Sequence, residues 1–244
     1  MIIDVVATRY DSIKTSDGGV FDAYCAVPDS EQGAGIVLLQ EVFGINDNMR
    51  QLAAELAGHG YVTLVPDMFW RLRRRFESKD ESGIQEGMEL AQRLDFTAAV
   101  ADMTATMRAL RAMPECDGRV GGVGFCLGGT LAYLFATSVR DEGRGPDAVV
   151  SYYGSAVHAM LEKVGDIECP MLFHYGDADP YIPAEQIAAV EAAVAGRPDI
   201  SVHHYDAGHA FSNFDAPSFY QRDAADLAWG RTLAFFDDRL SSPR

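Results

Sequence analysis

Residues 120–129, Val-Gly-Gly-Val-Gly-Phe-Cys-Leu-Gly-Gly, constrain this chain more than any other stretch. A valine- and glycine-rich apolar run stops abruptly at Gly124-Phe125-Cys126-Leu127-Gly128, and a small-residue helical pattern from Thr130 to Thr137 follows at once. The pattern predicts a strand, a sharp turn and a helix, with Cys126 at the apex, as in a nucleophile elbow that carries cysteine in place of serine. Such a turn is strained. Gly124 leaves room behind the apex, and Gly128 lets the helix come close to the strand. Cys126 would stand at a helix N-terminus, where unpaired amides and the dipole favour a thiolate and a developing oxyanion. Two blander readings compete. Cysteine is among the most buried residue types and is often inert. A phosphate-binding glycine loop is the other, but G-x-G-x-x-G begun at Gly122 and Gly124 needs glycine where Leu127 stands.

Around this segment, apolar runs alternate with helical patterns almost from end to end. Strands are expected at 4–10 and 20–27, joined through Ser16-Asp17-Gly18-Gly19, then at 34–40, 61–66, 119–124, 147–153, 170–175 and 200–205. Helices are expected at 46–58 (capped by Asn46 or Asp47), 95–113, 127–138, 184–195 and 218–238, with a charged, irregular and then helical stretch at 71–94 that could cover a site. The run Ala-Gly-Ile-Val-Leu-Leu-Gln at 34–40 is apolar throughout, as in a strand buried on both faces. This alternation predicts one α/β domain over residues 1–244, with a mostly parallel twisted sheet of about eight strands covered by helices on both faces. Ligands in such sheets bind at the carboxyl ends of strands, where Cys126 falls.

Charge and cysteine usage narrow the function classes. The formal net charge of −16 opposes nucleic acid and anionic membranes as partners. Four scattered cysteines, with no C-x-x-C and no zinc-ligand spacing, suggest a reducing compartment. The N-terminus has no basic region, and no apolar run reaches about 18 residues, so a cytoplasmic location is expected.

A nucleophile needs a base and an acid. Of His59, His158, His174, His203, His204 and His209, only His209 lies in a glycine-flanked loop just after an expected strand, in Asp206-Ala207-Gly208-His209-Ala210-Phe211. The acid is sought after the strand at 170–175, in Gly176-Asp177-Ala178-Asp179-Pro180-Tyr181-Ile182-Pro183. Asp177 and Asp179 compete there, and both could simply form the turn. The order Cys126, aspartate, His209 is that of the α/β-hydrolase fold, whereas other triad folds use other orders.

The chain resembles the dienelactone hydrolase (carboxymethylenebutenolidase) family over nearly its whole length. The resemblance rests on Gln40-Glu41-Val42-Phe43-Gly44-Ile45-Asn46, Val65-Pro66-Asp67-Met68-Phe69, the cysteine elbow, Tyr152-Tyr153-Gly154, the acid loop and Ala207-Gly208-His209-Ala210-Phe211. It implies Asp179 as the acid. It implies that Glu41 holds the resting cysteine and releases it as thiolate when substrate arrives, and that the Val42 amide shares the oxyanion with the Leu127 amide. The chain departs from the family pattern in the pocket. Asn213 stands where an arginine four residues after the histidine is expected, and the positions of another arginine, a tyrosine and a tryptophan fall near Ile84, Met88 and Ala91. Arg71, Arg73, Arg74 and Arg75 could supply replacement charges, although a run of arginines is more often a solvated face.

The expected chemistry is cleavage of an ester or lactone through an acyl-cysteine on Cys126, His209 and Asp179, with no metal or organic cofactor implied. Phe43, Trp70, Tyr152 and Phe211 are candidate apolar walls of the pocket, and Asn213 a candidate polar one. The expected partner is a small-molecule substrate, with the chain a monomer or weak homodimer. Thioester hydrolysis or acyl transfer could run on the same triad. A non-catalytic binding protein with a redox-sensitive thiol would not need the acid and base. A dinucleotide-dependent oxidoreductase would need the missing fingerprint.

Overall fold

Eight strands form a single sheet in the order β1-β2-β4-β3-β5-β6-β7-β8. They are β1 (Ala7–Lys14), β2 (Val20–Val27), β3 (Gly33–Leu39), β4 (Val62–Pro66), β5 (Cys116–Phe125), β6 (Ala148–Tyr152), β7 (Met171–Gly176) and β8 (Ile200–Tyr205). The structure, a computed structural model, describes residues 7–29, 32–78 and 81–240. Residues 4–6 of the first expected strand lie outside the described residues. β1 and β2 pair antiparallel, β2 runs antiparallel to β4, and every pairing from β4 to β8 is parallel. The mostly parallel α/β sheet read from the alternation is therefore the observed one.

The helices are α1 (Asp47–Gly58), α2 (Ile84–Gln92), α3 (Phe96–Arg111), α4 (Leu127–Ser138), α5 (Ala184–Val194) and α6 (Arg222–Leu240). Local chemistry sets their starts. Asn46 caps α1 by accepting from the Met49 amide, and Asp95 caps α3 by accepting from Thr97 and Ala98. The helix expected at 218–238 starts later, because the Gln221 amide donates to the Phe211 carbonyl (2.9 Å) and holds the preceding residues in turns. A 3-10 stretch, Val157–Asp166, was not legible in the periodicity.

The strand order creates the site. From β3 the chain moves to β4 on one side, and from β5 it moves to β6 on the other. Right-handed crossovers in opposite directions put α1 and α4 on opposite faces, which opens a crevice between the carboxyl ends of β3 and β5. Those ends carry Glu41 and Cys126. β3 is buried along all but its first residue, as its unbroken apolar run predicts.

The elbow closes only with glycine at two places. A Cβ on Gly124 would lie 1.9 Å from the Gly128 carbonyl oxygen, and one on Gly128 would lie 2.1 Å from that of Leu39. Both obstacles are backbone and cannot swing aside. Gly124→Ala is expected to lower stability by about 1–3 kcal/mol through forced backbone displacement, read as a lower urea midpoint at unchanged m-value.

Candidate active site

β5 ends at Phe125 and α4 begins at Leu127, so Cys126 alone makes the turn. Its φ of 54° and ψ of −113° place a non-glycine residue in a strained region, a cost of about 1–3 kcal/mol that the surrounding fold offsets. The turn lifts the side chain out of the core. Cys126 is partly exposed, whereas Cys25, Cys116 and Cys169 are buried. The inert-cysteine reading therefore suits the other three and not this one.

Three loops meet at the sulfur. The Cys126 Sγ lies 3.1 Å from His209 Nε2, and His209 Nδ1 lies 2.7 Å from Asp179 Oδ2. The other Asp179 oxygen accepts the backbone N–H groups of Tyr181 (2.8 Å) and Ile182 (3.2 Å), which fixes the plane of the carboxylate. His209 stands between the rings of Tyr153 and Tyr181, with centroids at 5.1 and 5.0 Å. Asp177, the rival acid, faces the surface, where its Oδ1 lies 2.7 Å from His204 Nδ1. The remaining histidines stand elsewhere. His174 is buried between the hydroxyls of Tyr205 and Thr232, His203 stacks beside it, His59 ends α1, and His158 meets the Ser155 carbonyl.

Burial works against a charged imidazole at His209, but the adjacent Cys126 sulfur and the Asp179 carboxylate outweigh it and raise the ring above its ordinary value. The same elements hold a second acid. Glu41, directly after β3, is buried and accepts from the Tyr153 hydroxyl (3.2 Å) and from the Asn213 side-chain amide. Burial pushes its carboxyl up from 4.5 to about 7, against the opposing pull of His209 and these two donors. Asn213 is itself held, since its Oδ1 accepts the Asp215 amide (3.0 Å) and Asp215 accepts the Asn48 amide at the start of α1 (2.8 Å). Glu41 is thus tied to a helix end on the far side of the crevice.

Cys126 and His209 open on a cavity of about 770 Å³ including its mouth, which Glu41, Val42, Phe43 and Leu127 also line. Of the expected walls, Phe43 is in place. The others are corrected by the structure. Trp70 stacks on Phe21 and donates to Asp102 (2.7 Å), away from the cavity. Tyr152 is fully buried, with its ring 4.4 Å from Phe125 and its hydroxyl 2.6 Å from Thr232. Phe211 is buried against Tyr153 and Tyr205. Asn213 donates to Glu41 and is not among the residues that line this cavity. Tyr152 ends β6, where a one-residue step turns a side chain to the other face of the sheet.

Further walls come from Ser155, Tyr181, Ala210 and Phe219, and from α2, which carries the pocket positions that the family resemblance placed near Ile84, Met88 and Ala91. The stretch 71–94 supplies α2 as a wall, with Ile84, Met88 and Ala91 on the cavity. Their spacing was a legible signal, since i, i+4 and i+7 share one helix face. The arginines of that stretch are engaged elsewhere: Arg71 with Asp102 and Asp17, Arg73 with Glu86, Arg74 with the Val20 carbonyl, and Arg75 with Asp22. Tyr153 was read only as part of a motif. Its positive φ of 36° and its bond to Glu41 give it a place in the site.

Comparison with known proteins bears on the family and the fold. Residues 21–240 match the family model described as the dienelactone hydrolase family. A carboxymethylenebutenolidase of Pseudomonas sp. (strain P51) is 35% identical over 91% of this chain and 92% of its own length. A second, from Pseudomonas putida, is 35% identical over 92% of this chain and 94% of its own. The crystal structure of a dienelactone hydrolase-like promiscuous phosphotriesterase from metagenomic libraries superposes with a TM-score of 0.80 at 24% identity, over 96% of this chain and all of that one, which bears on the fold alone. With a family match over nearly the whole chain, and an eight-stranded sheet that carries the elbow at its crevice, this chain belongs to the dienelactone hydrolase family and is a hydrolase of the α/β-hydrolase fold.

Proposed function

We propose that the protein cleaves a carboxylic ester or lactone through an acyl-cysteine on Cys126, with His209 as acid–base and Asp179 as its orienting acid. The observation that carries this reading is the continuous hydrogen-bonded line from sulfur to imidazole to carboxylate, opening on an apolar cavity. The Cys126 proton passes to His209 Nε2 as the sulfur bonds to the carbonyl carbon. The carbonyl electron pair moves to oxygen and is met by the backbone amides of Leu127 and Val42, each such donor contributing about 3–4 kcal/mol of barrier lowering. The intermediate collapses, the C–O bond breaks, and the leaving oxygen takes the proton from His209. Water, losing a proton to His209, then attacks the thioester carbon, and the sulfur leaves and is reprotonated. Asp179 holds the tautomer in which Nδ1 bears the proton and offsets the charge of the imidazolium.

The direct test is intact-mass measurement on acid-quenched enzyme during turnover of a slow aryl ester. A covalent mass increase equal to the acyl group, mapped to Cys126, is expected. Steady turnover with no such adduct under burst conditions would overturn the mechanism.

In this reading Glu41 modulates the nucleophile, and its titration carries a signature. The folded protein holds the Glu41 proton at pH values where the unfolded chain has released it. Its contribution to stability is therefore complete below about pH 4.5 and is lost as pH rises through about 7. The wild type should lose stability across that window relative to Glu41→Gln, with urea midpoints converging at acid pH. The acid limb of kcat/KM near pH 7 should also be altered in Glu41→Gln. Parallel midpoints across the window would remove the titration.

A further inference from the structure

We propose that the cavity takes a neutral apolar acyl or lactone group and rejects substrates that carry a carboxylate on it; this rests on the ester-cleaving reading above. The wall that decides the matter is α2. Ile84, Met88 and Ala91 fall at i, i+4 and i+7, so one face of the helix turns an unbroken apolar stripe to the cavity. The helix is held tightly in that position. On the neighbouring face, a Cβ at Gly87 would lie 2.2 Å from the Val42 carbonyl oxygen, so α2 is pressed onto the loop that carries Glu41 and Val42. Phe219 extends the apolar surface, and Met88 and Tyr181 stand at the mouth, 40% and 55% exposed.

Among the described residues, no lysine or arginine lines the cavity. The four arginines that precede α2 are paired with Asp102, Asp17, Glu86 and Asp22 or with the Val20 carbonyl, and none turns to the cavity. The acid on the wall is Glu41, held by the neutral donors Tyr153 and Asn213. A substrate carboxylate would enter beside it, leave water and find no cation among the described lining residues, which is the costly way to bury a charge. The formal net charge of −16 adds long-range repulsion in the same direction. An aliphatic chain has the opposite balance, because each methylene set against the α2 stripe leaves water favourably.

The test is a matched pair, p-nitrophenyl hexanoate and the mono-p-nitrophenyl ester of adipic acid, which differ at the chain end by a carboxylate. The neutral ester should show kcat/KM at least about a hundredfold higher at low salt. Across neutral acetate, butyrate and hexanoate esters, kcat/KM should rise by up to about fourfold per methylene. Met88→Arg, a change at the exposed mouth, should raise the half-ester's kcat/KM relative to hexanoate at least tenfold, and Ile84→Arg, deeper on the same face, should do so more strongly. Equal or better turnover of the half-ester, or an unmoved ratio in both folded variants, would overturn the proposal. Calorimetric binding of the same pair to Cys126→Ala separates this inference from the mechanism. Tighter binding of the neutral ester supports the pocket even if the mechanism fails, and tighter binding of the half-ester, or of neither, counts against the pocket itself.

Discussion

Cys126→Ala is expected to lower kcat/KM for aryl esters by about four to six orders of magnitude, with folding intact. The size follows from what the variant loses. In the proposed mechanism the sulfur forms the covalent bond, and His209 Nε2, 3.1 Å away, would be left with no nucleophile to deprotonate. What remains is substrate held in an apolar cavity near two backbone amides, which supplies only the residual catalysis of binding and oxyanion stabilisation. The substitution removes one partly exposed atom at a position already in a strained conformation, so the fold has little reason to change. Circular dichroism and urea midpoints close to wild type, alongside the lost activity, are the expected pair of results. Retention of activity within tenfold would show that another group attacks the substrate.

Asp179→Asn is expected to lower kcat by about four orders of magnitude, while Asp177→Asn changes it less than about threefold. The two aspartates are two residues apart in one turn but have opposite environments. Asp179 directs one oxygen to His209 at 2.7 Å and has the other pinned by two backbone amides. An asparagine in that plane keeps its oxygen on the amides and turns an NH2 toward Nδ1. The ring must then present a lone pair there and carry its proton on Nε2, where it cannot accept the thiol proton. Asp177 pairs with exposed His204 on the surface, and such pairs contribute about 0–1 kcal/mol. A pH–rate profile of both variants, with stability measured in parallel, checks the assignment. A larger loss at Asp177 would reverse it.

The two aspartates also show where local turn chemistry stops, since only the family resemblance pointed to Asp179. Turn chemistry explains why both stand after β7 and cannot say which one faces inward, because both satisfy the same local rule. The same limit explains the cavity walls. Phe43, four residues after the buried strand β3 ends at the crevice, lines the cavity. Tyr152, Phe211 and Trp70 stand in or directly beside the family motifs, and each fills the core or the β2 side of the sheet. The α2 stripe was present in the spacing of Ile84, Met88 and Ala91, but a helix face shows its use only when its neighbours are known.

What the chain determined by itself is what depends on nearby residues. The alternation of apolar runs gave the parallel sheet, Asn46 and Asp95 gave helix starts, and Gly124 and Gly128 gave a turn that only glycine can close. These are steric and hydrogen-bonding demands within a few residues, so they are written locally. Only the tertiary structure decided the partners of Glu41, one of which lies 172 positions away in Asn213, and the face that α2 shows to the cavity. Those choices depend on strand order and on which loops the crevice brings together, and no local rule in the sequence contains them.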